Sequence, residues 1–333
     1  MTTAKSLPSV LVAGSANVDF IVRAPHIPAP GETVLGGDLV VVPGGKGANQ
    51  AVACARAGGV ATTMLLALGD DPFAPLIEAS LQDAGVGLRV VRSTRPTGAA
   101  LICVSDDAEN AIAVAPGANA TLAPGDLTDL TGVGRLVLQL ETPLATVTAF
   151  AQKARAQGVQ VILNAAPAQA LPAELLASVD VLVANEEELA MLAGRDGAIA
   201  DRLRSLGVPC AVATLGARGC CAFADGIFWL QPAFPVTPVD TTAAGDTFCG
   251  VLAGALCSGA AIPDALRRAS AAAALATTRL GAQSSAPTGH EIEALLTACG
   301  APGDALAPLA AYCGVTDYNP PGRPDGQLSD QDA

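Results

Sequence analysis

Short apolar segments alternate with helical patterns along most of the chain. "TTMLLALG" precedes "FAPLIEASLQDAG", "RLVLQLE" precedes "LATVTAFAQKARAQG", and "VDVLVAN" precedes "EEELAMLAG". Continuous apolar strands separated by single helices are typical of a parallel sheet covered by helices on both faces. We therefore predict a Rossmann-like three-layer α/β/α fold with a mainly parallel central sheet.

Two stretches, residues 18–42 and 97–115, depart from this alternation. Both contain strand-like segments, such as residues 18–23 and 33–42, with no helix between them. Strands without intervening helices break the pattern of the main sheet and can form a small secondary sheet. We predict a small β-sheet lid over the main sheet.

The limits of the folded region follow from composition. The chain of 333 residues is 51% hydrophobic but only 3% aromatic, so its core is built from Ala, Val, Leu and Ile. We predict one domain over residues 8–298. From residue 314 the sequence is polar and Pro-rich, ending in "VTDYNPPGRPDGQLSDQDA". That composition predicts a disordered tail over residues 314–333.

The net charge of −13 restricts the function. A nucleic-acid partner is not expected, because phosphate binding of that kind needs a basic face. An acidic protein that handles anions does so locally, with backbone amides and a few placed cations. With only His26 and His290 in the chain, a Ser-His-Asp triad or a His-based metal site is poorly supported.

The chain also lacks recognisable targeting features. Its first twenty residues do not follow the pattern of a signal peptide, and the longest apolar run, residues 249–262, is too short to span a bilayer. The nine cysteines form no C-x-x-C pair, which is typical of a reducing cytoplasm. Three of them are predicted to be small buried hydrophobes: Cys54, Cys249 and Cys257.

A glycine turn, "PGGKGANQAVA", opens the first helical pattern. It is not a phosphate-binding Walker A loop, since Gly47 follows Lys46 and Val40 stands where the first glycine belongs. Such a turn leaves N–H groups and the positive end of the helix dipole exposed. Lys46 and Asn49 can together bind hydroxyl groups there, although a plain turn is about as common.

A second helix start, "VDTTAAGDTFCGVLAGALCSG", carries Asp246 directly after small residues. Small residues let backbone amides face a ligand closely. Asp246 is then either an ordinary helix N-cap, which is the commoner case, or a carboxylate that accepts a proton from a hydroxyl group beside an anion hole.

Further polar residues follow apolar strands. Asn17 and Asp19 can hold sugar hydroxyls, and Glu141 is placed in the same way. Asn185 and Glu188 are three residues apart, a spacing that suits a capping box or contact with Mg²⁺ and phosphate. Because ligands of open α/β sheets bind at the carboxyl ends of the strands, these residues are expected to converge.

In combination, these motifs resemble those of the ribokinase family of sugar kinases. The resemblance rests on "GSANVDFIV", "PGGKGANQAVACARAGG", "TGAALI", "LQLETP", "NEEE", "TLGARG", "DTTAAGDTFCG" and "RLGAQSSAP", and covers about residues 8–297. It implies ATP-dependent phosphorylation of D-ribose at its 5-hydroxyl, with Mg²⁺ and a monovalent activator, usually K⁺. It also implies a homodimer formed through the lid.

The resemblance assigns roles by position, with Asp246 as the base. Amides of the anion hole come from Ala243, Ala244 and Gly245. The implied sugar-binding residues are Asn17, Val18, Asp19, Gly45, Lys46, Gly47, Ala48, Asn49, Glu141 and Asp246. The implied residues for ATP and Mg²⁺ are Asn185, Glu188, Thr214, Leu215, Gly216, Ala217, Arg218, Gly219, Gly245 and Ser270. The implied residues for the monovalent cation are Asp240, Thr242, Ala276, Arg279, Gly281 and Ser285, several of them through backbone carbonyls.

Two positions depart from the family pattern: Ser270 stands where relatives usually have His or Asn near the adenine, and Thr242 replaces an aliphatic residue. Other readings stay open. One is a kinase of the same fold for another sugar, such as fructose or deoxyribose, or for a nucleoside; the lid carries little aromatic surface beyond Phe20, which argues against a nucleoside. Another is a non-catalytic sugar or nucleotide sensor, which the intact Gly245 and Asp246 argue against.

Overall fold

The chain alternates between strands and helices along almost its whole length. The computed structural model describes residues 8–57, 59–107, 109–301 and 303–318. The strands in these residues are β1 (Ser9–Ala13), β2 (Asn17–Ala24), β3 (Val40–Gly44), β4 (Thr62–Gly69), β5 (Gly87–Ser93), β6 (Gly98–Ser105), β7 (Asn110–Ala115), β8 (Val133–Leu138), β9 (Gln160–Asn164), β10 (Val181–Asn185), β11 (Cys210–Thr214), β12 (Gly219–Ala224) and β13 (Ile227–Pro232). The α-helices are α1 (Lys46–Ala57), α2 (Ala74–Asp83), α3 (Leu144–Ala156), α4 (Ala173–Leu176), α5 (Glu186–Ala193), α6 (Ile199–Ser205), α7 (Ala244–Cys257), α8 (Ile262–Thr277), α9 (Gly289–Ala298) and α10 (Leu306–Cys313).

Nine strands form the central sheet, in the order β13-β12-β11-β10-β9-β8-β1-β4-β5. All neighbouring pairs are parallel except β11 with β12 and β12 with β13, which are antiparallel at one edge. A parallel sheet needs cover on both faces. The predicted three-layer α/β/α architecture is confirmed.

Strand β1 lies inside this sheet and faces both layers. Val10 and Val12 belong to the apolar core that includes α1, α7 and α8, whereas Leu11 and Ala13 belong to the core on the opposite face, which includes α3 and α6. Because side chains alternate along a strand, a strand that is apolar at every position is covered twice. Leucine, valine and alanine fill both cores, as the composition predicted.

The second sheet is the predicted lid, with the order β3-β2-β6-β7. Strands β2 and β6 are parallel, while β2 with β3 and β6 with β7 are antiparallel. The strand predicted over residues 33–42 was wrong in extent, because pairing with β2 begins only where Ile21 meets Val40. The two glycines at positions 36 and 37 weaken the strand ahead of that point.

Helices α1 and α7 run side by side in the same direction. Their backbones approach so closely that a Cβ built on Gly250 of α7 would lie 2.3 Å from the carbonyl oxygen of Gln50 in α1. Further along the pair, Gly254 faces Cys54. Glycine at these points lets the two helix starts, and hence the glycine turn and Asp246, lie next to each other.

The C-terminal part packs against the main domain beyond the predicted limit of 298. Helix α10 buries Leu309 and Cys313, and Val315 is also buried. The predicted tail therefore has packed residues at its start, and its larger part, residues 319–333, lies outside the described residues. None of the helices in the described part is long and apolar enough to cross a membrane.

Candidate active site

Asp246 lies in the first turn of α7, where its carboxylate joins α7 to α1. The side-chain amide of Asn49 donates to Oδ2 at 3.0 Å, and that of Gln50 donates to Oδ1 at 3.0 Å. Asp246 is only 6% exposed. It is not the N-cap, since that position is occupied by Ala243. The ordinary capping interpretation of Asp246 is therefore wrong, and its carboxylate instead faces the helix that carries Lys46.

Backbone amides at the start of α7 lie beside this carboxylate. Ala243 has φ 57° and ψ 14°, a left-handed conformation that costs free energy for a residue with a Cβ. The Ala244 amide donates to the carbonyl of Thr241 at 3.3 Å. Within the described residues, the amides of Gly245 and Asp246 make no hydrogen bond, so the helix start presents two free donors to a ligand.

Three carboxylates surround Lys46 at the start of α1. Burial by itself lowers the pKa of Lys46, but the charges of Asp246, Glu141 and Glu188 outweigh it and raise this pKa above its usual value. The Lys46 side chain is therefore a permanent cation in the site. It offers the localised positive charge that an acidic protein needs to hold an anion.

Glu141 is oriented by the turn that carries Lys46. Its Oε2 accepts hydrogen bonds from the hydroxyl of Ser15 at 2.6 Å and from the backbone amide of Lys46 at 3.1 Å. The Ser15 hydroxyl in turn accepts from the Gly47 amide at 3.2 Å. These bonds tie the end of β8, the end of β1 and the glycine turn together at one edge of the sheet, as the sequence predicted.

Asp19, on lid strand β2, is a buried carboxyl group without a full set of partners. It is 7% exposed, and its Oδ1 accepts no hydrogen bond from the described residues. Gly44 leaves it room, since a Cβ there would lie 2.0 Å from Oδ2. Burial, followed by repulsion from Glu141 and Asp246, raises the pKa of Asp19 from 3.8 to about 7.

Asn17, the first residue of lid strand β2, is held in place by Asn119. The Asn119 side-chain amide donates to Asn17 Oδ1 at 2.7 Å, while its own oxygen accepts from the Ala16 amide at 3.0 Å. Since its oxygen is occupied, Asn17 presents its NH₂ group as a donor. Asn49 is complementary, because its Oδ1 is buried and accepts no hydrogen bond from the described residues.

The remaining residues predicted to bind sugar lie in the glycine turn and the start of α1, except Val18, which lies on β2, and all of them can act only through their backbone. Val18 and Ala48 are fully buried in the core. Gly45 has φ 90°, and a Cβ on it would lie 2.8 Å from Cα of Ala16. A Cβ on Gly47 would lie 2.7 Å from the Ser15 carbonyl oxygen. The glycines therefore allow the turn to approach β1 closely.

Asn185 and Glu188 form the capping box that the spacing allowed. Asn185 Oδ1 accepts from the Glu188 amide at 2.8 Å, and Glu188 Oε2 accepts from the Asn185 amide at 2.8 Å. Burial raises the pKa of Glu188, while the charge of Lys46 opposes that rise. Glu188 is thus close enough to the sugar-side residues to interact with their charges, and its Oε1 is not used in the cap.

The predicted nucleotide segment, residues 214–219, follows β11 directly beside this capping box. Thr214 is paired with Asn185 in the sheet. Leu215 is 2% exposed and belongs to the core, whereas Gly216, Ala217 and Arg218 are exposed. Gly219, with φ 112°, turns the chain into β12, so only the middle of this segment can reach a ligand.

Ser270 and Arg218, also predicted near the nucleotide, have protein partners. Ser270 is 7% exposed in α8, and its hydroxyl lies 3.6 Å from Cys220 Sγ. The Arg218 guanidinium lies 4.2 Å from the ring centre of Tyr312, whose hydroxyl donates to Glu186 at 2.5 Å. Helix α10 therefore contacts two segments of the predicted nucleotide side.

The residues predicted to hold a monovalent cation are partly brought together by Asp240. Its Oδ1 accepts from the Thr242 amide at 2.9 Å and its Oδ2 from the Gly281 amide at 3.0 Å. The Arg279 side chain is paired with Glu291, so only its backbone is free for a ligand. Ala276 and Ser285 are fully buried. A carboxylate with backbone carbonyls is a set of oxygen donors that suits a hard cation.

Sequence reasoning missed Ser15, Gln50, Asn119 and Gln139. The Gln139 side-chain amide donates to Gln50 Oε1 at 2.7 Å, which extends the contacts of Asp246 by one residue. Gln139 directly follows β8, and Ser15 comes two residues after the end of β1, so the strand-end rule that selected Asn17 and Glu141 also applies to them. No sequence signal pointed to Asn119, which comes from the turn after the lid.

Comparisons with known proteins agree with this geometry. The sequence profile of the pfkB family of carbohydrate kinases matches residues 7–289. The ribokinase of Haemophilus influenzae is 37% identical over 296 residues, covering 85% of this chain and 96% of that protein. The ribokinase structure from Thermotoga maritima superposes with a TM-score of 0.81 at 35% identity, covering 87% of this chain and 99% of that one. The Arabidopsis thaliana ribokinase complexed with ribose and ATP gives 0.78 at 34% identity, covering 87% and 98%.

The chain combines a three-layer α/β/α fold and a lid with a buried carboxylate that lies beside free helix amides at the strand ends. This combination defines a carbohydrate kinase. The chain belongs to the pfkB family of carbohydrate kinases. The predicted resemblance to the ribokinase family within it is confirmed.

The raised pKa of Asp19 predicts that its carboxyl group destabilises the fold at high pH. Between about pH 4 and pH 7 the unfolded chain ionises this group while the folded chain keeps it protonated, so stability falls as pH rises through that window. Asp19→Asn should therefore raise the free energy of unfolding at about pH 8, by on the order of a few kcal/mol at most, and change it much less at about pH 4, where the unfolded chain is only partly ionised at this group.

Urea denaturation of both proteins at the two pH values measures this difference. Asp38→Asn, which alters an exposed carboxylate before β3, is the matched control. An equal effect of Asp19→Asn at both pH values would contradict the assignment of a buried, protonated carboxyl group.

Proposed function

We propose that this chain is a ribokinase, which transfers the γ-phosphoryl group of ATP to O5 of D-ribose. The observation that carries the proposal is the Asp246 carboxylate. It accepts hydrogen bonds from the side chains of Asn49 and Gln50 on α1, the helix that follows the glycine turn. It lies next to the free backbone amides of Gly245 and Asp246. A proton acceptor and an anion-binding helix start thus occupy one place, which phosphoryl transfer to an alcohol requires.

The sugar is held by complementary donors and acceptors. Asp19 and Asn49 offer buried oxygens that accept from hydroxyl groups, while Asn17 and Lys46 offer donors. Each ribose hydroxyl is both donor and acceptor, so a mixed set of this kind matches a polyol better than an apolar ligand. Leaving such groups unpaired costs about 1–3 kcal/mol each, which favours a substrate that satisfies them.

The reaction then needs one proton transfer and one displacement. The 5-hydroxyl gives its proton to the Asp246 carboxylate as its oxygen attacks the γ-phosphorus, and ADP leaves. Free amides at the start of α7 and the Lys46 cation stabilise the charge on the transferring group. The lid excludes water, so that the phosphoryl group reaches the sugar rather than solvent.

The nucleotide is placed along β10 and β11. The segment from Thr214 to Gly219 supplies backbone donors at its exposed middle, and Asn185 and Glu188 supply oxygens for Mg²⁺ with its water shell. Mg²⁺ neutralises charge on the β- and γ-phosphates when it is bound. The buried position of Ser270 limits it to the wall of the adenine pocket.

A monovalent cation, K⁺ in our proposal, binds at Asp240 and the carbonyls near Ala276, Arg279, Gly281 and Ser285. When bound, it supplies positive charge in the loop that leads into α7. Asp240 accepts hydrogen bonds from the Thr242 and Gly281 amides, which ties the segment around Gly281 to the loop that carries the anion-binding amides.

A coupled assay of ADP release over a panel of sugars tests the substrate. We expect D-ribose to give kcat/KM at least about 10-fold above those of fructose and deoxyribose. A site built to pair hydroxyl groups rejects deoxyribose, which lacks one, and fructose carries an additional hydroxymethyl group that the ribose site has to accommodate. Replacing Na⁺ by K⁺ should raise the rate. A preference for another sugar would overturn the ribose assignment alone, and equal rates in both salts would overturn the K⁺ assignment.

Replacing the base separates catalysis from binding. Asp246→Asn should lower kcat by about 10²–10⁴-fold, because the amide cannot accept the hydroxyl proton. Ribose binding, followed by calorimetry without ATP, should persist. Glu187→Gln, at an exposed carboxylate on α5, is the control for loss of one negative charge. Unchanged turnover in Asp246→Asn would remove the base assignment, and a sensor function would gain support if the parent protein also binds ribose without turning over.

We also propose a homodimer formed through the lid, in the cytoplasm. Four side chains form one apolar row across the lid sheet, because Ile21 pairs with Val40 and Ile102, and Ile102 pairs with Ile112. Val40 is 50% exposed and Ile112 is 54% exposed. A contiguous exposed apolar face of this kind marks an interaction surface.

The dimer is tested by the mass in solution from light scattering. Ile112→Lys should shift the mass toward the monomer, because a charge would be buried in the contact. Ala111→Lys, on the opposite face of β7, is the control. A parent protein that is monomeric at micromolar concentration would refute the dimer.

A further inference from the structure

Two glutamines form a buried chain behind Asp246. Gln139 follows β8 and Gln50 lies on α1, and both are fully buried. The Gln139 amide donates to Gln50 Oε1 at 2.7 Å, and the Gln50 amide donates to Asp246 Oδ1 at 3.0 Å. Each link carries its hydrogen toward the carboxylate.

The direction of this chain follows from the charge at its end. An ionised carboxylate only accepts hydrogen bonds, so Gln50 must present its NH₂ group to Asp246 and its oxygen to Gln139. Gln139 must then donate, which turns its own Oε1 away. That oxygen is buried and accepts no hydrogen bond from the described residues. A Cβ built on Gly14 would lie 1.8 Å from it, so the backbone there leaves space for it.

An unpaired buried acceptor costs about 1–3 kcal/mol, so this pair of hydrogen-bonded glutamines is not the most stable way to fill the core. Two apolar side chains of the same shape would avoid that cost. Groups that a fold keeps at a cost in stability are typical of functional sites. The two glutamines supply a second donor to the Asp246 carboxylate, the side-chain amide of Gln50. The other donor, Asn49, itself belongs to the sugar site.

We propose that Gln50, oriented by Gln139, is a positioning residue that fixes the Asp246 carboxylate for proton transfer. The proposal rests on the proposed role of Asp246 as base. With Gln50 in place, the carboxylate is held at both oxygens and cannot rotate toward Lys46 when the sugar and nucleotide enter. Gln139 acts only through Gln50, since it is hydrogen-bonded to Gln50 and not to Asp246.

The test is a double-mutant cycle with methionine, which keeps the length of glutamine and removes its polar atoms. Gln50→Met should lower kcat by roughly 10- to 100-fold and Gln139→Met by roughly 3- to 10-fold, because small misplacement of a catalytic group slows the chemical step. KM for ribose should change by less than about twofold, since neither glutamine is among the residues assigned to hold the sugar. In the Gln50→Met background, Gln139→Met should have no further effect on kcat.

Thermal unfolding distinguishes positioning from a purely structural role. Gln139→Met removes one unpaired oxygen and leaves another on Gln50, so its Tm should stay near that of the parent. The double variant removes both oxygens but also the Gln50 donor to Asp246 Oδ1, so its Tm should be lower than that of Gln139→Met, yet it should stay fully folded at the assay temperature while its kcat is low. Gln231→Met, a buried glutamine on β13, is the control for the substitution itself and should keep the parent kcat.

Three outcomes would overturn the proposal: full kcat in both single variants, additive losses in the cycle, or a kcat that falls only in proportion to the folded fraction. If Gln50→Met does not fold, Gln139→Met still decides, because an unchanged kcat in that folded variant excludes the positioning role of the two glutamines. Asp246→Asn in the same series separates the two proposals. Activity that survives this change refutes the assignment of Asp246 as the base. An inactive Asp246→Asn variant together with fully active glutamine variants refutes only the positioning role of Gln50 and Gln139.

Discussion

The hydrogen bonds from α1 to the Asp246 carboxylate are the constraint on which the active site depends. Asn49 and Gln50 are consecutive residues, and Asp246 lies 197 and 196 positions further along the chain. Side chains of consecutive helical residues point about 100° apart, so both reach one carboxylate only if it lies over the helix between them. The close contact of α1 with α7 at Gly250 provides that arrangement. The glycine turn and the second helix start are thereby parts of a single site.

Several carboxyl groups lie close together around Asp246 and Lys46, so this site has a high density of negative charge. Asp19, Glu141, Glu188 and Asp246 are close enough to influence one another or Lys46 electrostatically. Lys46 offsets part of this charge, and the raised pKa of Asp19 lowers the negative charge that this carboxyl group carries near neutral pH. In a protein of net charge −13, the start of α7 still presents a positive potential, because backbone amides carry it without a net charge.

Several features of the fold and the site could be predicted from the sequence because they follow from local patterns. Continuous apolar strands alternating with helices specify a covered parallel sheet, and polar residues after those strands must then meet at its carboxyl edge. Asn17, Glu141 and Asn185 were selected in this way, and the sheet brings them to one edge, where the glycine turn adds Lys46. The strand over residues 33–42 was overextended, because an apolar pattern does not reveal where a pairing partner begins.

What the sequence by itself determined is therefore the layered architecture, the lid and the short segments that carry chemistry, since side-chain period and glycine position act over a few residues. Only the tertiary structure decided that the side chains of Asn49 and Gln50 hold Asp246, which does not cap its helix. It also decided that Gln139 is hydrogen-bonded to Gln50 and that burial raises the pKa of Asp19. Each of these depends on contacts between distant parts of the chain. Such contacts are set by how closely helices and sheets pack, and no local pattern records that distance.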